Sequence, residues 1–130
     1  MTADEKLERD IDDLAMSRPE VAQDALRRIE ARGASAVPAL LRALAEDRLG
    51  GSGLGLVLRV LGGLALPETL PAVAAALHDP RHVTRAAALV AVARFPGPHA
   101  TAALVAMLQD PDPDIVRQAT AHLAERAKQA

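Results

Sequence analysis

The sequence predicts an all-α fold, an α-solenoid of about four stacked helix pairs with a period near 31 residues. Three observations predict it. A segment of the chain recurs at a fixed offset, apolar residues fall at helical spacing, and Asp-Pro or glycine-rich breaks alternate along the chain. Self-similarity at a period of roughly 20–50 residues marks arrays of small supersecondary units. No alternation with a period of two residues is present to support a strand.

The clearest recurrence is Leu70-Pro-Ala-Val-Ala-Ala-Ala-Leu-His-Asp-Pro80, which returns as Thr101-Ala-Ala-Leu-Val-Ala-Met-Leu-Gln-Asp-Pro111, an offset of 31. The same offset carries Thr84, Ala88 and Val92 onto Ile115, Ala119 and Leu123. It also runs backwards, to Gly53, Val57 and Leu61, and an offset of 32 then reaches Val21, Ala25 and Ile29. Each triplet has i, i+4, i+8 spacing, a stripe down one face of a helix.

Helices are predicted over 3–16, 19–32, 35–46, 52–64, 67–78, 81–95, 99–109 and 113–128. They group into repeats of about 1–33, 34–65, 66–97 and 98–130 within a single domain. The first helix is acidic, with Ile11 and Leu14 facing inward, and suits a polar cap on the array. The second follows Ser17-Arg18-Pro19 and stops at Gly33. The third is Val37-Pro-Ala-Leu-Leu-Arg-Ala-Leu44, whose match in the next repeat ends at Leu77. A long junction, Asp47-Arg48-Leu49, and the glycine-rich Gly50-Gly-Ser-Gly-Leu-Gly55 lead into the fourth, which is expected to stop at Gly62-Gly63. Asp79-Pro80 and Asp110-Pro111 separate the helices of the last two repeats, where Asp can cap the following helix and Pro is tolerated in its first turn. Pro96-Gly97-Pro98 stops the sixth helix. The eighth carries Arg117, Gln118, Glu125, Arg126 and Lys128, a polar outer face for the other end.

Composition excludes several functions. There is no Cys, Trp or Tyr, and Phe95 is the only aromatic. Thiol chemistry is absent, and aromatic platforms for a stacked cofactor or base are lacking. The net charge of −2 marks neither a strong nucleic-acid binder nor an acidic tail, although residues 1–13 alone carry −4. No secretion signal is visible, and no apolar run reaches the roughly 18–20 residues that cross a bilayer. A cytoplasmic protein of bacterial composition, rich in Ala, Arg, Leu and Gly, is expected.

The pattern resembles HEAT repeats, in particular the short repeats of bilin-lyase-like HEAT proteins. The resemblance is carried by Leu77, Asp79, Pro80, Arg85, Ala88, Ala91 and Val92, and again by Leu108, Asp110, Pro111, Asp112, Pro113, Ile115, Ala119 and Leu123. It covers residues 35–124 well and 1–34 loosely. It implies a right-handed solenoid, second helices along the concave face, and a structural ladder of turn Asp and helix Arg, to which Asp79, Arg85 and Asp110 correspond. The ladder is partial, since Leu54 and Val116 take the Arg place in the flanking repeats. The bilin-lyase likeness implies a third role, as an accessory subunit. HEAT-like DNA glycosylases are also known, but that resemblance implies groove aromatics and a catalytic acid, and this chain has no Trp, no Tyr and one Phe.

No catalytic constellation is found. His78 and His82 have metal-pair spacing, but Asp79-Pro80 places a turn between them, and no third ligand is evident. The glycine-rich stretch lacks the preceding strand of a dinucleotide motif and the Lys-Ser/Thr of a phosphate loop. Close helix packing accounts for it better than anion binding does. No cofactor and no metal are expected. The second helices and their edges are rich in Arg: Arg27, Arg28, Arg32, Arg59, Arg81, Arg85, Arg94 and Arg117. The expected function is a non-catalytic adaptor that binds another protein across this face, through Arg59, Arg81, His82, Arg94 and Arg117. The same basic bias admits weak nucleic-acid or phosphate binding as the alternative.

Overall fold

The computed structural model describes residues 1–129 and contains eight α-helices among them. They are α1 (Ala3–Asp13), α2 (Pro19–Arg32), α3 (Val37–Ala45), α4 (Gly50–Leu64), α5 (Leu70–Ala75), α6 (His82–Ala93), α7 (Pro98–Ala106) and α8 (Pro113–Gln129). No strand occurs in the described residues. Each odd-numbered helix pairs with the one that follows, and the second helices α2, α4, α6 and α8 pack in series. This is an all-α helical-repeat array.

The i, i+4, i+8 stripes build its core. Ala25, Ile29, Val57, Leu61, Ala88, Val92, Ile115 and Ala119 are all fully buried, as are Ile11 and Leu14 of the first pair. Gly53 and Thr84 occupy the first place of their stripes and are buried too. Leu123, near the end of α8, is half-buried. Phe95 fills the interior just beyond α6. One helix pair cannot bury such a stripe alone, so the core exists only through stacking.

The helix ends depart from the expected signals in instructive ways. α1 stops three residues early, with Leu14 at its C-cap. The first helix of the third repeat is α only over Leu70–Ala75, with tighter 3-10 turns at Pro67–Thr69 and Ala76–His78. A 3-10 turn also leads into α3 and another follows α7, so the first-layer helices are shorter than periodicity predicts. Gly62 and Gly63 do not stop α4. The helix runs through both and ends at Leu64, with Ala65 in the left-handed conformation (φ 49°). Ser17 and Asp79 do not cap α2 and α6, whose N-cap residues are Arg18 and Arg81, with no side-chain capping bond to the helix. Asp79 instead accepts the Arg81 N–H at 2.9 Å, closing the turn before the helix. At α8 the cap falls to Asp112, which accepts the Asp114 N–H at 2.9 Å.

The glycines of α4 set the spacing to α6. A Cβ on Gly62 would lie 2.8 Å from Cα of Ala91, so the two backbones meet there. A Cβ on Gly53 would lie 3.3 Å from the backbone of Ala15. Close backbone approach therefore explains both positions, to α6 at Gly62 and to the turn after α1 at Gly53.

Candidate functional site

The exposed side of the second-helix layer holds a groove of about 540 Å³ between α4 and α6. Gly55, Arg59 and Gly63 of α4 line one wall, and Ala87, Val90 and Ala91 of α6 with Arg94 at its C-cap line the other. Glu30 of α2 closes one side. Helical spacing produces both walls: the α4 residues stand at i, i+4, i+8 and the α6 residues at i, i+3, i+4, i+7. Val90 is 49% exposed, and Val83, two turns earlier on α6, is 63% exposed. A Cβ on Gly63 would meet nothing within 4 Å, and one on Gly55 only the Ala87 Cβ at 3.9 Å. These two glycines, unlike Gly62, are not required by helix packing.

Of the five side chains predicted to meet a partner, the structure brings Arg59 and Arg94 together on this groove. Arg81 and His82 lie at the opposite end of α6, at its N-cap and first residue. Arg81 is engaged there, donating from Nε to Asp79 Oδ1 at 2.9 Å and from a terminal nitrogen to Oδ2 at 3.0 Å. His82 is exposed. Arg117 is on α8 and pairs with Asp114 one turn back.

The other arginines of this layer are also engaged. Arg28 donates to Asp10 at 2.8 Å, Arg27 pairs with Asp24, and Arg32 donates to the Ala3 carbonyl at 3.0 Å. Arg85 forms a fork to Asp110 at 2.9 and 3.2 Å, and donates to the Asp79 and Pro80 carbonyls at 3.0 Å. The rung thus ties α6 to the turn of the following repeat. Leu54, where an Arg would reach Asp79 from the preceding repeat, has no such capacity, and Arg81 takes Asp79 locally. Arg126, expected from sequence on the polar outer face of the last helix, turns back into the array instead. It donates to the carbonyls of Ala93, Phe95 and Gly97 at 2.9–3.2 Å and to Thr101 Oγ1 at 2.9 Å, closing the end of α6. Among the described residues of the second helices and their caps, Arg59 and Arg94 are the two guanidiniums that make no ion pair or hydrogen bond.

The acidic first helix is tied to its neighbours. Glu8 receives Arg42 and Arg48, Asp12 lies 3.6 Å from Arg48, and buried Asp10 receives Arg28. The Arg48 guanidinium, aided by Arg42, holds the Glu8 carboxyl below its ordinary range, as Arg81 does for Asp79. A hollow of about 730 Å³ between α1 and α3 and one of about 660 Å³ beside α3 and α5 are larger than the α4–α6 groove. In them Arg42 and Arg81 are already paired with Glu8 and Asp79 within the chain, and Arg9, which also lines the first, stands among Asp4, Glu5, Glu8 and Asp12 of its own helix.

His78 and His82 stand on either side of the 79–81 turn. Among the described residues no group of three or more His, Asp or Glu is placed to hold a metal ion. No helix in them is long and apolar enough to cross a membrane. The glycine-rich stretch is the start of α4 rather than a loop, and Gly51 packs against the Arg81 side chain.

Comparison with known proteins adds the family. No curated protein and no solved structure matches the chain. The family model for HEAT repeats matches residues 55–124, more than half of the chain, from α4 into α8. The span contains the Arg85–Asp110 rung and both walls of the groove, and the chain belongs to the HEAT-repeat family.

Proposed function

We propose that this HEAT-repeat chain is a non-catalytic protein-interaction scaffold, and that it receives its partner on the exposed side of α4 and α6. One observation carries the reading. The arginines of the second-helix layer are paired within the chain, except Arg59 and Arg94, and those two line the same groove. Exposed Val83 and Val90 lie on the same layer, so the face offers apolar area as well as charge. Arginine beside apolar surface is a recurrent composition of protein interfaces. HEAT-repeat proteins are commonly scaffolds of this kind.

A photo-reactive amino acid at position 90 tests it in extract of the source cell, with the same group at exposed Val105 of α7 as control. The reading expects a discrete crosslinked protein from position 90 that is missing from position 105 and lost when Arg59→Glu and Arg94→Glu are added. Equal crosslinking from both positions, or crosslinking that ignores the charge reversals, refutes it.

A further inference from the structure

We infer that the α4–α6 groove takes an acidic, apolar segment of a partner protein, with one aliphatic side chain on the groove floor and carboxylates against Arg59 and Arg94. This rests on the reading of the face as an interaction surface and adds the chemistry of what it binds.

The floor supplies the apolar half. Gly55, Gly63, Ala87 and Ala91 present no side chain beyond a methyl group, and Val90 stands exposed on the α6 wall. At about 540 Å³ the groove falls within the roughly 300–1,000 Å³ of ligand-sized sites, room for a few side chains rather than a folded domain. Gly62 and Gly63 are adjacent, yet only Gly62 touches α6. A side chain at 63 would have open space, so packing within the chain does not require glycine there, and its bareness leaves the groove floor open.

The rim supplies the charged half. Carboxylates elsewhere in the structure engage arginine repeatedly: Asp79 with Arg81, Asp110 with Arg85, Glu8 with Arg48, Asp10 with Arg28. Arg59 and Arg94 have the same guanidinium fork but form no ion pair, although Glu30 lines the same groove. A carboxylate offers that fork two oxygens in its own plane. Glu30 at one side limits the charge to the opposite portion of the groove. A uniformly charged phosphate backbone would have to pass that acid, whereas a peptide can place its carboxylates away from it.

The test uses the full chain and labelled helical peptides followed by fluorescence anisotropy. One peptide alternates Leu and Glu faces, a second replaces every Glu by Lys, and a duplex DNA oligonucleotide is the third probe. The Glu/Leu peptide is expected to bind at least about tenfold more tightly than the Lys/Leu peptide. Arg59→Glu with Arg94→Glu should abolish that preference, and Gly63→Leu, which fills the floor without touching a charge, should weaken binding by a similar factor. Circular dichroism confirms that each variant keeps its helices. Equal binding of both peptides, or binding indifferent to these variants, overturns the acidic-segment assignment, and so does tighter binding of the DNA. If the crosslink from position 90 persists in that case, the interaction surface stands and only its partner chemistry is wrong.

Discussion

Arg85 reaches out of its own repeat and grips Asp110 of the next through two hydrogen bonds of 2.9 and 3.2 Å, with both side chains largely shielded from water (13% and 5% exposed). Removing one partner strands the other as a shielded charge, so Arg85→Ala or Asp110→Ala is expected to cost about 3 kcal/mol. Replacing both together, by Met and Leu, should recover most of the loss. Urea unfolding of the three variants checks this; a double variant as unstable as the singles contradicts it.

Two neighbouring glycines are expected to respond with opposite signs. Gly62→Ala drives a methyl group against the backbone of Ala91 and should destabilise by about 1–3 kcal/mol. Gly63→Ala meets open space and should stabilise by about 0.5–1 kcal/mol, the ordinary gain of alanine over glycine within a helix. Midpoints of urea unfolding for the pair read the difference directly.

Thr84 occupies a core place of α6, 1% exposed, and its hydroxyl has no hydrogen-bond partner. The equivalent place is Gly53 in the preceding repeat and Ile115 in the following one, so the stacking does not require a polar group. Thr84→Val keeps the shape and removes the stranded hydroxyl. It is expected to stabilise by about 1 kcal/mol, seen as a higher thermal midpoint.

The array should also loosen in acid at its first repeat. Arg48 and Arg42 lower the folded-state pKa of Glu8 from its ordinary 4.5. A depressed carboxylate pKa contributes stability that is fully present above the unfolded value and is lost as pH falls through the folded one. Solvent screening keeps the contribution small, since Glu8 is about a third exposed. Urea midpoints measured from pH 6 downward should fall below about pH 4.5, less steeply in Glu8→Gln. An identical pH profile in the variant would remove Glu8 from the account.

What could be read in the sequence was what repeats. The stripes through Val57, Ala88 and Ala119 are periodic because each packs on the same neighbour in successive repeats, and all are buried. The likeness to HEAT repeats drew attention to Arg85, Asp79 and Asp110, and the structure joins Arg85 to both turns. What could not be read was irregular. Arg126 bonds mainly to carbonyls, which leave no trace in side-chain pattern. The clamps of Arg28, Arg42 and Arg48 on α1 join residues 18–40 apart, with no counterpart in other repeats. The basic face expected along the second helices was a count of residues, and a count could not tell paired arginines from Arg59 and Arg94. Nor could it separate Gly62 from Gly63, because one helical step decides which of them faces α6.

The central claim is that the α4–α6 groove is where this HEAT-repeat chain meets its partner. Amide chemical shifts of the isotope-labelled chain, recorded while the Glu/Leu peptide is added, test it most directly. The account predicts that the largest changes cluster at Gly55, Arg59, Gly63, Ala87, Val90 and Arg94, and vanish in Arg59→Glu/Arg94→Glu. Changes centred on the hollows beside α1 and α3, or spread evenly over the array, would contradict it.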